Sequence, residues 1–154
     1  MLVLRWYRLF KILKIHSTHK EIQIDASIER VFTALTDSES IPRFYPLLSV
    51  ESDWLVGSEV LYHGEINGVQ FTDFGVIEHL DSQNVYSYRY WSDNHGTERA
   101  DENYLTITYR LESVTGGTLL KVTQSNIKSP ELYEMMDSQV WDYLLASLKK
   151  YAEQ

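Results

Sequence analysis

His63, Glu65 and Asp73 flank the dipeptide Asn67-Gly68 near the middle of the chain. Asn-Gly between alternating apolar runs is a two-residue hairpin signal, so these groups belong on neighbouring strands. Such a turn pairs Ile66 with Val69, Tyr62 with Asp73 and His63 with Thr72. Asp73 then shares a face with Tyr62, Phe71 and Ile77, while His63 and Glu65 point the other way. One extra residue in either strand would bring His63 opposite Asp73. The carboxylate could then orient the imidazole as a general base, with Tyr88 or Tyr90 as acid. Because Val60, Tyr62 and Ile66 read as core positions, His63 is expected on the solvent face. Asp73 is either an inward carboxylate, bonded to Tyr62 or to a ligand, or a strand-end acid reached by water. His79, near a strand end, reads as a surface residue.

A second polar set points by strand parity toward the core side: Tyr62, Tyr86, Tyr88, Tyr90, Tyr109, Gln124 and Asn126. An amide buried there must find partners, from the protein or from a ligand. Gln124 fits either a ligand contact or a wet strand end, and Asn126 is better read as capping the turn before the last helix. Met136 and Val140 on that helix complete the candidate ligand contacts, while Met135, Met136 and Trp141 also suit a plain core. Phosphate-loop, dinucleotide, nucleophile-elbow and zinc-protease patterns are all absent. No metal or cofactor is expected. His16 and His19 could share a helical face, but read as solvated.

These side chains need elements to hold them. Lys20 to Ala26 alternates as a first strand, and Ser27 caps a helix with Glu29 in its first turn and Val31, Phe32 and Leu35 on its apolar face. Ser40 to Leu48 is irregular or a short second helix, and its Phe44, Tyr45, Leu47 and Leu48 should fold over something. Strand patterns follow at Val50 to Trp54, Glu59 to Ile66, Val69 to Leu80, Val85 to Ser92, Asn103 to Ser113 and Thr118 to Ile127. One long helix, Pro130 to Tyr151, closes the chain, with Ser129 as cap and Pro130 at the first helical position. Its stripe is Leu132, Met136, Val140, Leu144, Leu148 and Tyr151, widened by Trp141 and Leu145. The expected class is α+β: a curved antiparallel sheet of six or seven strands wrapped on a C-terminal helix, leaving an internal cavity.

Composition narrows the function. The 154 residues suffice for one domain, and 44% apolar with 23% charged residues is ordinary for a globular protein. The absence of cysteine excludes disulfides, thiolate metal sites and a cysteine nucleophile, and suits a cytoplasmic location. A net charge of −8 argues against nucleic acid as a partner. Met1 to Lys20 hold five basic residues and no acid, which leaves about −13 on the remainder. Within it Leu2, Trp6, Leu9 and Leu13 make an apolar stripe, too interrupted by charge to span a bilayer. Residues 1–19 are therefore set apart from a single domain at 20–154. They read as a docked element, a segment touching membrane weakly through Met1 to Ile15, or non-native sequence.

In this order the elements resemble the START/Bet v 1-like (SRPBCC) superfamily and its helix-grip fold. More narrowly they resemble the branch related to the activator of the heat-shock protein 90 ATPase. The resemblance rests on Ile24-Asp25-Ala26-Ser27, Glu29-Arg30-Val31-Phe32, Leu35-Thr36-Asp37, Trp54-Leu55-Val56-Gly57 and Gly75-Val76-Ile77-Glu78. Tyr104 to Leu111, Gly117-Thr118-Leu119-Leu120 and Trp141 with Leu145, Leu148 and Tyr151 complete it. It covers about Lys20 to Glu153 and implies a fold rather than a chemistry, since the superfamily hosts lipid carriers, hormone receptors, polyketide cyclases and co-chaperones. The first expectation is a binder of a small hydrophobic or amphipathic molecule between sheet and helix. The alternatives are a co-chaperone-like module acting on a chaperone ATPase, and a cyclase or hydratase using Asp73 and, with a bulge, His63. Catalysis is the less favoured of these.

Overall fold

The computed structural model describes residues 14–154. Seven strands form one antiparallel sheet in the order β1-β7-β6-β5-β4-β3-β2. They are β1 (His16–Ile24), β2 (Ser49–Ser52), β3 (Glu59–Ile66), β4 (Val69–Asp81), β5 (Val85–Trp91), β6 (Leu105–Val114) and β7 (Gly117–Ile127). Helix α1 (Ile28–Leu35) follows β1. The C-terminal segment comprises α2 (Pro130–Met135), a π-helical turn (Met136–Val140) and α3 (Trp141–Ala152). It packs on β1, β7 and α1, with Trp141, Leu145, Leu148 and Ala152 buried.

Local chemistry sets the boundaries. Ser27 accepts the Arg30 amide as the expected cap of α1, and Ser129 does the same for Leu132 at α2. The β3–β4 turn puts Asn67 at φ 53° and Gly68 at φ 80°, left-handed values that asparagine and glycine tolerate best. Ser40 to Leu48 holds only a 3₁₀ turn, Ile41–Arg43, because Pro42 and Pro46 deny a longer helix its amides. Ile41 and Phe44 are nevertheless buried in the core.

Several expectations need correction. The first strand starts at His16, because Thr18 is buried and His16 stacks on Tyr133 with ring centroids 4.8 Å apart. His16 and His19 thus lie on a strand and share no helical face, and His19 Nδ1 sits 3.1 Å from Thr123 Oγ1. The second strand stops at Ser52, since Trp54 turns to a left-handed φ of 54°. The closing helix runs unbroken from Pro130 to Ala152 as expected, but with a π turn inside it. Its π turn inserts one residue per hydrogen-bonded ring and rotates everything after it, so Trp141 and Leu145 are buried while Val140 and Leu144 stay half-exposed. Met1 to Leu13, most of the segment assigned a docking or membrane role, lie outside the described residues. Lys14 and Ile15 are exposed.

Candidate functional site

The concave face of the sheet carries a layer of phenols. Tyr62 on β3, Tyr86, Tyr88 and Tyr90 on β5 and Tyr109 on β6 all point inward and are buried. Their rings run in series: Tyr86 to Tyr109 at 6.0 Å, Tyr86 to Tyr88 at 4.9 Å and Tyr88 to Tyr90 at 5.9 Å between centroids. The hydroxyls of Tyr62 and Tyr86 lie 2.9 Å apart, as do those of Tyr45 and Tyr109. Burial pushes the five inward phenols above their ordinary range, so at neutral pH each is a neutral donor and acceptor.

At the end of this layer a chain of polar contacts fixes its own proton positions. Trp141 Nε1 can only donate, and it donates to Gln124 Oε1 at 2.7 Å. The Gln124 amide nitrogen must therefore face Tyr90 and donates to its hydroxyl at 2.7 Å. Tyr90 Oη, already an acceptor, has its hydrogen left for His95 Nε2, 3.4 Å away. That assigns the proton of neutral His95 to Nδ1. Burial lowers the His95 pKa to about 4, so the ring is neutral at physiological pH. Its Nδ1 is shut off from solvent and has no hydrogen-bond partner.

Asp73 lies on the same face, one strand over. It pairs with Tyr62 across β3, and its neighbour Phe74 pairs with Trp91 on β5, which sets Asp73 beside Ser92. Its Oδ1 is buried without a partner. Burial pushes the carboxyl up to about 6, against the pull of the Ser92 hydroxyl. Among the described residues no lysine or arginine pairs with it. An acceptor and a donor, Asp73 Oδ1 and His95 Nδ1, thus remain unsatisfied at one end of an apolar face, where each is costly to leave unmatched.

The registers decide the other candidates. Strands β3 and β4 pair without a bulge, so His63 stands opposite Thr72 and faces outward. Its ring lies 2.9 Å from Thr72 Oγ1 and 2.7 Å from Glu51 Oε2. The proposed His63–Asp73 couple does not exist, because the two side chains occupy opposite faces; Glu65 and His79 are exposed. Gln124 points inward and is fully buried. Asn126 does not follow it: an extra β7 residue opposite His16–Thr18 breaks the alternation and sends Ile127 inward. Asn126, at φ 67°, instead donates to the Glu102 and Tyr104 carbonyls. Met136 is half-buried against the core, and Val140 is half-buried. Sequence reasoning missed His95, which lies in a polar stretch with no periodicity. The faint signal was Ser92 four residues before Gly96, which cap a single turn over Asp93–His95.

A further feature lies toward the β3–β4 turn. There Phe71 lies over Gly64, where a Cβ would meet the ring at 2.3 Å. A groove of about 390 Å³ beside them is lined by Leu48, Ser49, Gly64 and Phe71 together with the outward-facing His63 and Thr72. Among the described residues no three His, Asp or Glu side chains converge as metal ligands, and no helix is long and apolar enough to cross a membrane.

A family model described as "Activator of Hsp90 ATPase homolog 1-like protein" matches residues 25–153. Solved structures share the fold. Protein ChR145 of Cytophaga hutchinsonii is 27% identical over 90% of this chain and 95% of its own, with a TM-score of 0.75. The Aha1 dimer of Colwellia psychrerythraea is 20% identical over 90% and 96%, at 0.72. Ara h 8.0201 is 18% identical over 90% and 98%, also at 0.72. No curated protein matches the chain.

Proposed function

This chain belongs to the Activator of Hsp90 ATPase homolog 1-like family, and from that premise we propose that it binds a small amphipathic molecule on the concave face, between β3–β5 and the C-terminal segment. The observation that carries the reading is the pair of unsatisfied buried atoms, Asp73 Oδ1 and His95 Nδ1, at the end of the tyrosine layer. An apolar surface with a few convergent polar groups is the usual form of a small-molecule site. The apolar body would lie along Tyr62, Tyr88, Tyr90 and Tyr109, with Gln124 holding Tyr90 in place and Met136 at the edge. Entry would swing Phe71 away from Gly64.

Native mass spectrometry on protein purified gently from its own host tests this. A reproducible small-molecule adduct, lost in Met136→Trp while the fold is retained, supports it. Adduct-free protein that also takes up no long-chain amphiphile in titration overturns it.

A second reading, a module acting on a chaperone ATPase, draws on exposed apolar side chains near the sheet edge formed by β2: Leu48, Leu55 and Val56. Stimulation of the host chaperone's ATPase that Leu55→Asp with Val56→Asp abolishes would support it. An ATPase rate unchanged by the wild-type chain would remove it.

A further inference from the structure

The unpaired carboxylate narrows the ligand class. Its surroundings can be taken strand by strand. Tyr62 faces it from β3; Phe71 and Gly75 flank it on β4; Tyr90 on β5 and Ser92 just after that strand adjoin it; His95 lies beyond, against Tyr90. All of these are neutral at physiological pH. The basic side chains nearest in sequence are engaged elsewhere: Arg89 pairs with Glu78 at 2.8 Å, and Arg99 lies over the Phe74 ring at 3.7 Å and donates to the Tyr104 hydroxyl at 3.0 Å. Arg89, Phe74 and Trp91 belong by parity to the convex face. Toward β1 the inward face does carry charge, but Lys20 pairs with Asp142 at 3.2 Å and Asp137 accepts from Thr18 under the C-terminal segment. Around Asp73 itself the concave face therefore offers one anionic acceptor, aromatic ring faces and no cation.

Resting on the ligand-binding reading, we propose that the site selects amphiphiles whose head is a protonated amine, bound by Asp73 Oδ1 and flanked by the Tyr90 ring. An ammonium donates to the orphaned oxygen, neutralises the buried charge and gains from an aromatic face. A fatty acid would set a second carboxylate against the first without a countercharge. A neutral alcohol donates one hydrogen bond and leaves the charge in place.

Dodecylamine, dodecanol and dodecanoate isolate the head group on a constant tail. Each is titrated calorimetrically at pH 7.5, below its micellar concentration, into the full chain and into Asp73→Asn. The expected order is amine over alcohol by at least about tenfold, with dodecanoate weakest. In Asp73→Asn the amine and alcohol converge to within about threefold. Repeating the titration at 0.5 M salt separates this from general attraction to the net charge of −8. Dodecanol bound as tightly as dodecylamine, or an amine preference that survives in Asp73→Asn, overturns the head-group assignment and leaves the binding reading standing. Failure of all three to bind overturns both.

Discussion

Asp73 and His95 are both held against their preferred charge, and their effects on stability run in opposite directions. A carboxyl raised from 3.8 to about 6 in the fold takes up protons more readily folded than unfolded. Its cost is absent near pH 4, grows as pH rises through 6 and is complete above that. A histidine lowered from 6.5 to about 4 does the reverse: the unfolded chain holds the extra proton, so stability grows from pH 4 to 6.5. Over pH 4 to 6 the two largely cancel. Asp73→Asn should therefore be more stable than the wild type at pH 7 by about 1 to 3 kcal/mol, with the gain gone near pH 4. Urea unfolding of both proteins at several pH values checks this. Gln124→Leu removes an acceptor from Trp141 and a donor from Tyr90 in a fully buried place. We expect a loss of about 2 to 4 kcal/mol, against near neutrality for a leucine on the convex face. Parity made Gln124 legible in the sequence. Its partners were not, because they depend on which ring of β5 and which turn of the last helix come to rest beside it.

The elements themselves were legible wherever a period ran uninterrupted. The hairpin Glu59–Ile66 and Val69–Asp81 was readable to its register, because Asn67-Gly68 dictates the turn and the turn dictates every pair. Bulges and the π turn were not readable, since one added residue leaves composition and local propensity unchanged. The π turn nevertheless decides the site, by bringing Trp141 rather than Val140 onto Gln124. Deleting Ser138 should restore α-helical phasing and force either Trp141 off Gln124 or Tyr133 off His16. A drop of at least about 2 kcal/mol in urea unfolding is expected, with a changed near-ultraviolet dichroism signal from Trp141. Arg30 ties α1 to the chain's end, donating to the Ala152 carbonyl at 2.6 Å and to those of Tyr151 and Gln154. Arg30→Ala should cost about 1 to 2 kcal/mol by leaving helix-terminal carbonyls unpaired.

At the scale of the molecule, a sheet with one buried face and one long C-terminal segment yields a concave aromatic surface covered mainly toward β1 and β7. Occupancy of that surface should register as global stability. A ligand at a hundred times its dissociation constant adds about 2.7 kcal/mol. For a domain of this size that is a rise of roughly 5 to 10 °C in Tm, read by differential scanning calorimetry with and without dodecylamine. The rise should be smaller in Asp73→Asn. The sequence by itself determined the order of the elements, a sheet of six or seven strands, the α1 and α2 caps, the β3–β4 register, the alternation that sets the β5 tyrosines on one face and the inward parity of Gln124. All of these follow from short-range periodicity and turn chemistry. Only the tertiary structure decided that no bulge overrides that register to bring His63 opposite Asp73, that Asn126 turns away, and that His95 folds back from a loop to meet Tyr90. Those outcomes depend on whether a bulge occurs and on where a loop without periodicity comes to rest. Both are settled by packing between residues far apart in the chain.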